Sequence, residues 1–136
     1  MPIALNPYLA FKGNARQAME FYKGVFGGNL QVQTFGDEGA PADPSEANNI
    51  MHAALEGEDG ITFFASDAPS HMDYRPGTNM SMSLSGNSDA DLRRYWDGLA
   101  QGGQVQVPLE KAPWGDTFGM LTDKFGVAWM VNISAT

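Results

Sequence analysis

NARQAMEFYKGVFGG, residues 14–28, reads as a helix with both ends marked. Asn14 stands where an N-cap side chain accepts from a free backbone N–H, and Gln17 follows three residues on, where a capping-box partner belongs. Ala18, Phe21, Tyr22, Val25 and Phe26 recur at the three- and four-residue steps of one helix face. Gly27 and Gly28 supply the left-handed conformation that stops a helix. The stretch occurs twice. From Ser88 the chain reads SDADLRRYWDGLAQGG, and a constant offset of 74 sets Asn14 against Ser88, Ala18 against Leu92, Phe21-Tyr22 against Tyr95-Trp96, Val25 against Leu99 and Gly28 against Gly102. Cap, aromatic pair, apolar stripe and terminal glycine all fall in register. That argues for an internal duplication over the chance similarity of two amphipathic helices.

Outward from each helix the order of elements repeats. Asn6 to Phe11 is a β-type run that Lys12-Gly13 turns into the first helix. After Gly28, Leu30, Val32 and Thr34 alternate with Gln31 and Gln33, the mark of a strand with one wet face. Residues 36–49, GDEGAPADPSEANN, read as a surface loop. Ile50 to Leu55 and Ile61 to Ala65 form two strands joined at Glu56–Gly60. Ser66 to Thr78 reads as the linker between halves. Beyond it, Met80, Met82 and Leu84 alternate with Ser81, Ser83 and Ser85. The second helix follows, then a strand over Gly103–Glu110 in which Pro108 points to an edge, and a closing hairpin over Phe118–Thr122 and Val127–Ile133. Strand–helix–strand–strand–strand, twice, predicts one α+β domain over residues 1–136 with half-modules of about 5–66 and 78–134. Paired βαβββ modules of this kind would form a curved mixed sheet, helices on the convex face and a cleft on the concave face.

Composition narrows the function. The formal charge of −8 over 136 residues argues against nucleic acid, whose phosphates need a basic patch. Seven acids and no Lys or Arg fall between Asp37 and Asp59, in what reads as a solvated loop; the Asp-x-Asp-x-Asp-Gly spacing of a calcium loop is missing. No apolar run approaches the length that spans a bilayer, and the N-terminus lacks the basic and apolar regions of a signal peptide. The chain has no cysteine, hence no disulfide, no thiolate nucleophile and no cysteine metal site; the cytoplasm is the expected location by default, although a chain without cysteine also suits the periplasm.

The stretch PYLAFKGNARQAMEFYKGVFGG, the strand IMHAAL, the segment ASDAP and the ending WGDTFGMLTDKFGVAWMVNIS resemble the PhnB-like branch of the vicinal oxygen chelate superfamily, which includes glyoxalase I, the bleomycin-resistance proteins and the extradiol dioxygenases. The resemblance runs from Asn6 to Ile133, and Trp-Gly-Asp-x-Phe-Gly…Asp-x-Phe-Gly-Val-x-Trp is its most specific part. It implies the paired βαβββ fold, a small-molecule ligand and a homodimer, with the linker serving as a hinge. It also implies a divalent metal held by four positions on the first and last strands of each half. These fall at Pro7, Phe64, Ser81 and Met130, or, with a one-residue slip, at Tyr8, Phe63, Met82 and Trp129. Neither set offers the imidazoles and carboxylates that such an ion takes, so no metal and no other cofactor is expected. Members of the branch have been called demethylubiquinone methyltransferases, but no Gly-rich strand-to-helix loop with a downstream acid suits a nucleoside cofactor here.

Candidate site residues follow. His52 lies mid-strand, on the same side as Ile50 and Ala54, either as a general base and ligand-binding group or as a hydrogen-bonded core histidine. His71 sits in the linker with Asp67, Asp73 and Arg75 and reads as a surface residue before a metal ligand. Trp114 and Asp116 precede the closing hairpin, to stack on and hydrogen-bond a ligand or to plug and turn the loop. Ser81, Ser83 and Ser85 line the cleft or a solvated strand face, without the partners of a hydrolase nucleophile. Leu9, Phe11, Phe64 and Met130 line an apolar pocket floor or belong to the core. The two leading expectations are a metal-independent small-molecule binder and, alternatively, an isomerase, lyase or dioxygenase-type enzyme using His52 as base or a metal at a site not inherited from the superfamily.

Overall fold

A computed structural model of the chain describes residues 3–37, 39 and 44–135. Glu38 and Asp43 of the acidic run lie outside these. The first helix, α1, spans Ala15–Phe26 and buries Ala15, Ala18, Met19, Tyr22, Val25 and Phe26. Phe21, expected on that stripe, is only half-buried at its edge. At the C-terminus Gly27 has φ +67° and returns its N–H to the Lys23 carbonyl at 2.8 Å. Gly28 follows at φ +83°, and a Cβ there would strike the Glu56 carbonyl oxygen and Gly57 Cα, so a side chain is excluded by space as well as by conformation. The N-terminus differs from the expectation. Asn14 makes no side-chain cap; the carboxylate of Asp67 accepts from the N–H groups of Gly13 at 2.8 Å and Ala15 at 2.9 Å instead.

The chain divides into two compact units, Met1–Pro76 and Gly77–Thr136. In the first, strands β1 (Tyr8–Phe11), β2 (Asn29–Thr34), β3 (Ile50–Glu56) and β4 (Thr62–Asp67) form one sheet in the order β1-β4-β3-β2, with β1 parallel to β4 and the remaining pairs antiparallel. Alternation sorts the strands: Phe63, Ala65 and Asp67 are buried on the helix side, and Phe63 meets Tyr22 and Phe26 edge-on at centroid distances of 5.4 and 6.1 Å. β4 runs through Ser66 and Asp67, so the segment between the sheets begins two residues later than the sequence suggests. Burial makes the reason plain: Asp67 is 2% exposed and belongs to the core that carries α1.

The second unit repeats the plan. Strands β5 (Met82–Gly86), β6 (Gln104–Lys111), β7 (Thr117–Thr122) and β8 (Ala128–Ile133) pair in the order β5-β8-β7-β6, again with the first and last strands parallel. Helix α2, Asp89–Ala100, buries Leu92, Tyr95, Trp96 and Leu99. Pro108 lies on the edge strand β6, whose register against β7 shifts on either side of Val107. Each unit is therefore a βαβββ module, and the α+β fold class is that of paired modules. Met80 does not join the alternating core; it lies before β5 and is 81% exposed.

Candidate functional site

In each unit the helix covers one sheet face and the other face stays open. On β3 the pairing of Gln33 with His52 jumps to Thr34 with Ile50, so Met51 is an extra, bulged residue. The bulge reverses the alternation. Ile50 goes under the helix at 1% exposure and gives its N–H to Asp67 at 2.8 Å, while His52 shares the open face with Ala54. The expectation that His52 and Ile50 lie on one side fails for this reason.

The open face of the first unit gathers three rings. Tyr8 on β1 stands opposite Phe64 on β4, and His52 lies across β3 from them. Ring centroids are 5.4 Å apart for His52 and Phe64, 5.8 Å for Tyr8 and His52, and 6.2 Å for Tyr8 and Phe64, with interplanar tilts of 40–58°. The Tyr8 hydroxyl and His52 Nδ1 are hydrogen-bonded at 3.2 Å. Small residues, Ala10 and Ala54, stand beside the rings on the same face, so the trio is not overgrown by its neighbours. Tyr8 is a ligand-binding candidate that motif and composition do not point to; the signal for it is its place at the start of β1, where alternation with Leu9 decides which residue faces out. Phe11, expected to line the pocket, lies on the other face with Leu9 and is 2% exposed beneath α1.

In the second unit Ser83 and Ser85 on β5 share the open face with Met130 and Asn132 on β8. Ser81 precedes β5 and is exposed. Trp114 is 63% exposed and meets Phe118 edge-on at 5.6 Å. Asp116 is committed to the loop: its carboxylate accepts from Asn132 Nδ2 at 3.0 Å and the Ala135 N–H at 3.1 Å. His71 is exposed, and its expected companions are engaged elsewhere, Asp67 in the core and Asp73 with Arg75 at 2.8 Å.

The resemblance puts the superfamily's metal ligands on the first and last strands of each half. Outward-facing partners on first and last strands are Tyr8 with Phe64 and Ser83 with Met130; Phe64 and Met130 belong to one expected register and Tyr8 to the other, while Ser83 replaces the Ser81 or Met82 expected on β5. A phenol, a phenyl ring, a primary hydroxyl and a thioether do not fit a borderline divalent ion. Among the described residues no three His, Cys, Asp or Glu side chains are grouped to hold a metal.

The family model for the Glyoxalase/Bleomycin resistance protein/Dioxygenase superfamily matches residues 4–131. The chain belongs to that superfamily. Among its relatives is Protein YjdN of Escherichia coli K12, 31% identical over 95% of this chain and 94% of that protein. The superfamily fold is matched by the crystal structure of protein PA1353 from Pseudomonas aeruginosa at TM-score 0.87, with 41% identity and 98% of each chain covered. The PhnB protein of Bacillus cereus, described as a putative 3-demethylubiquinone-9 3-methyltransferase, superposes at TM-score 0.76 with 25% identity, covering 97% of this chain and 100% of that one.

Proposed function

We propose that this superfamily member binds a small molecule without a metal, on the open face of its first unit, and that the ligand carries an aromatic ring. The observation that carries the reading is the Tyr8–His52–Phe64 trio. Three tilted rings offer faces and edges for stacking, worth about 0.5–1.5 kcal/mol per aromatic pair beyond area burial, and the Tyr8–His52 pair supplies polar atoms that orient a ligand. The description of the B. cereus relative as a methyltransferase gains no support here. The turn from β1 to α1 has one glycine, Gly13, and its N–H is already bound to Asp67. A phosphate-cradling turn needs such groups free.

A ligand-observed NMR screen of uncharged aromatic compounds tests the reading. Binding should saturate, and Phe64→Ala and His52→Ala should each weaken it by roughly tenfold, the equivalent of about 1.4 kcal/mol. Affinity unchanged in both variants refutes the site. The hydrogen bond between Tyr8 and His52 favours a second reading, an enzyme with His52 as general base, in which His52→Ala lowers the rate by roughly 10²-fold or more. We infer further a cytoplasmic homodimer without a resident cofactor; the family resemblance supports the dimer, and the side chains at the outward-facing pairs support the lack of a metal. Elemental analysis of untagged protein never exposed to chelator tests the cofactor part, and one divalent ion per chain overturns it. No helix among the described residues is long and apolar enough to cross a membrane.

A further inference from the structure

We infer that Tyr8 and His52 act as one bifunctional proton relay, catalysing keto–enol isomerisation of uncharged carbonyl compounds without a metal. The inference rests on the open-face site proposed above. The pair is joined at 3.2 Å through Nδ1, and either of its two tautomers satisfies that bond. In one, Nδ1–H donates to the phenol oxygen; Nε2 then carries a lone pair and the phenol O–H is free to donate outward. In the other, the phenol donates to Nδ1, and Nε2 carries the hydrogen. The first tautomer is a base and an acid held side by side.

The proton balance follows. A substrate C–H next to a carbonyl gives its proton to Nε2. The phenol gives its proton to the substrate carbonyl oxygen. The Nδ1 proton passes to the phenol oxygen along the existing hydrogen bond. The ketone has become its enol, one C–H bond is broken and one O–H formed, and the pair is left in its second tautomer with no net charge. The reverse sequence ketonises an enol and restores the first. No oxidant, reductant or metal enters.

The surrounding chemistry selects the substrate class. Of the strand positions on this face, only Glu56 carries a charge, and no Lys or Arg stands there to pair a carboxylate. An uncharged substrate therefore suits the face better than a keto acid. Phe64, 5.4 Å from His52 ring to ring, provides the shelf for an aryl group beside the reacting carbonyl. Both catalytic groups are at least partly solvent-accessible, so substrate reaches them without a local opening.

The test uses 1-phenylbutane-1,3-dione, which is uncharged, aryl-substituted and reports its enol by ultraviolet absorbance. Relaxation after dilution from an apolar solvent into buffer is followed with wild type, Tyr8→Phe, His52→Gln and the double variant. NMR line broadening of the dione measures binding separately. Wild type should accelerate relaxation; Tyr8→Phe, which keeps its ring, should lower kcat by roughly 10²-fold while KM and binding move by less than about threefold, and His52→Gln should lower kcat by roughly 10²-fold with binding weakened by no more than about tenfold. The double variant should be no worse than either single one, because the relay works only as a unit. Wild type no faster than the double variant overturns the relay, as does acceleration that survives both single changes. Saturable binding without acceleration leaves the binder reading standing and removes this one; absence of binding by this and other uncharged aryl probes removes both.

Discussion

Asp67 is the residue on which the first unit's geometry depends, and its replacement is a direct test of that account. Its carboxylate accepts three backbone N–H bonds: Gly13 and Ala15 on Oδ1, and Ile50 on Oδ2, all between 2.8 and 2.9 Å. The bonds to Ala15 and Ile50 are buried, and the bond to Gly13 is part-buried. In Asp67→Ala water reaches the Gly13 N–H, but the other two donors stay buried and unpaired at about 1–3 kcal/mol each. The expected loss is about 4 kcal/mol. With a urea m-value of about 2 kcal/mol/M for a chain of this size, the midpoint falls by about 2 M. Asp67→Asn separates the contacts. Its amide oxygen can still serve Gly13 and Ala15, while its NH2 faces the Ile50 N–H, so it should cost about half as much. Urea unfolding by far-UV circular dichroism gives the two losses. All three tryptophans lie in the second unit, so the same titration followed by fluorescence shows whether the units unfold together. Amide exchange locates the effect: Ile50 should exchange faster in both variants, Ala15 only in Asp67→Ala. A loss under about 1 kcal/mol for the alanine variant, or equal losses for the two, refutes the three-bond account.

Two further outcomes follow from other contacts. In Gly119→Ala the new methyl group would lie 2.7 Å from Trp96 Cη2 and 2.9 Å from the Leu109 backbone, so unfolding in urea should show a loss of about 1–3 kcal/mol with a changed Trp fluorescence maximum; a neutral result would mean the contact relaxes freely. The Ser88 hydroxyl and then the Arg94 guanidinium, both bonded to Asp91, hold its carboxyl below its ordinary value of 3.8. Since the folded value lies below the unfolded one, the stabilisation is present above the ordinary value and is lost as pH falls through the depressed one. Carboxyl NMR titration should place the Asp91 midpoint below 3.8 and Ser88→Ala should raise it; an unmoved midpoint in that variant refutes the hydroxyl's part.

Much of the fold was legible from local pattern. The two helices run Ala15–Phe26 and Asp89–Ala100, so both ends keep the offset of 74 seen between the sequence motifs. The Phe-Gly of the closing motif also has a packing reason, because Gly119 leaves the space that the Trp96 ring fills. What could not be read depends on partners far along the chain. Asp67 caps a helix more than 50 residues away, and nothing near Asn14 announces that its own side chain will be passed over. The side that His52 takes depends on a bulge at Met51, and strict period-two alternation, applied without it, puts the imidazole with Ile50. One unpaired residue moves every later side chain to the opposite face. The parallel registers matter in the same way. Tyr8 meets Phe64 and Ser83 meets Met130 only once first and last strands are paired, and neither register expected from the sequence contains both of these pairs.

The duplicated backbone has been kept while the means of holding it have diverged. Helix α1 has no acid in its first turn and takes its N-terminal carboxylate from β4, through Asp67. Helix α2 carries Asp89 and Asp91 in its own first turn, where negative charge favours the exposed N–H groups, and Ser88 bonds to Asp91 locally. At the end of β8 stands Ile133 where β4 ends in Asp67. One half therefore fixes its helix by a contact from a strand of the sheet, and the other by the helix's own first turn and the residue just before it. The same divergence separates the open faces. Tyr8 and Phe64 in the first unit correspond in the pairing to Ser83 and Met130 in the second. A repeat that conserves strand order and helix offset has thus placed an aromatic, hydrogen-bonded trio on one module only. That asymmetry is why the chemistry argued here belongs to the first unit and not to the fold as such.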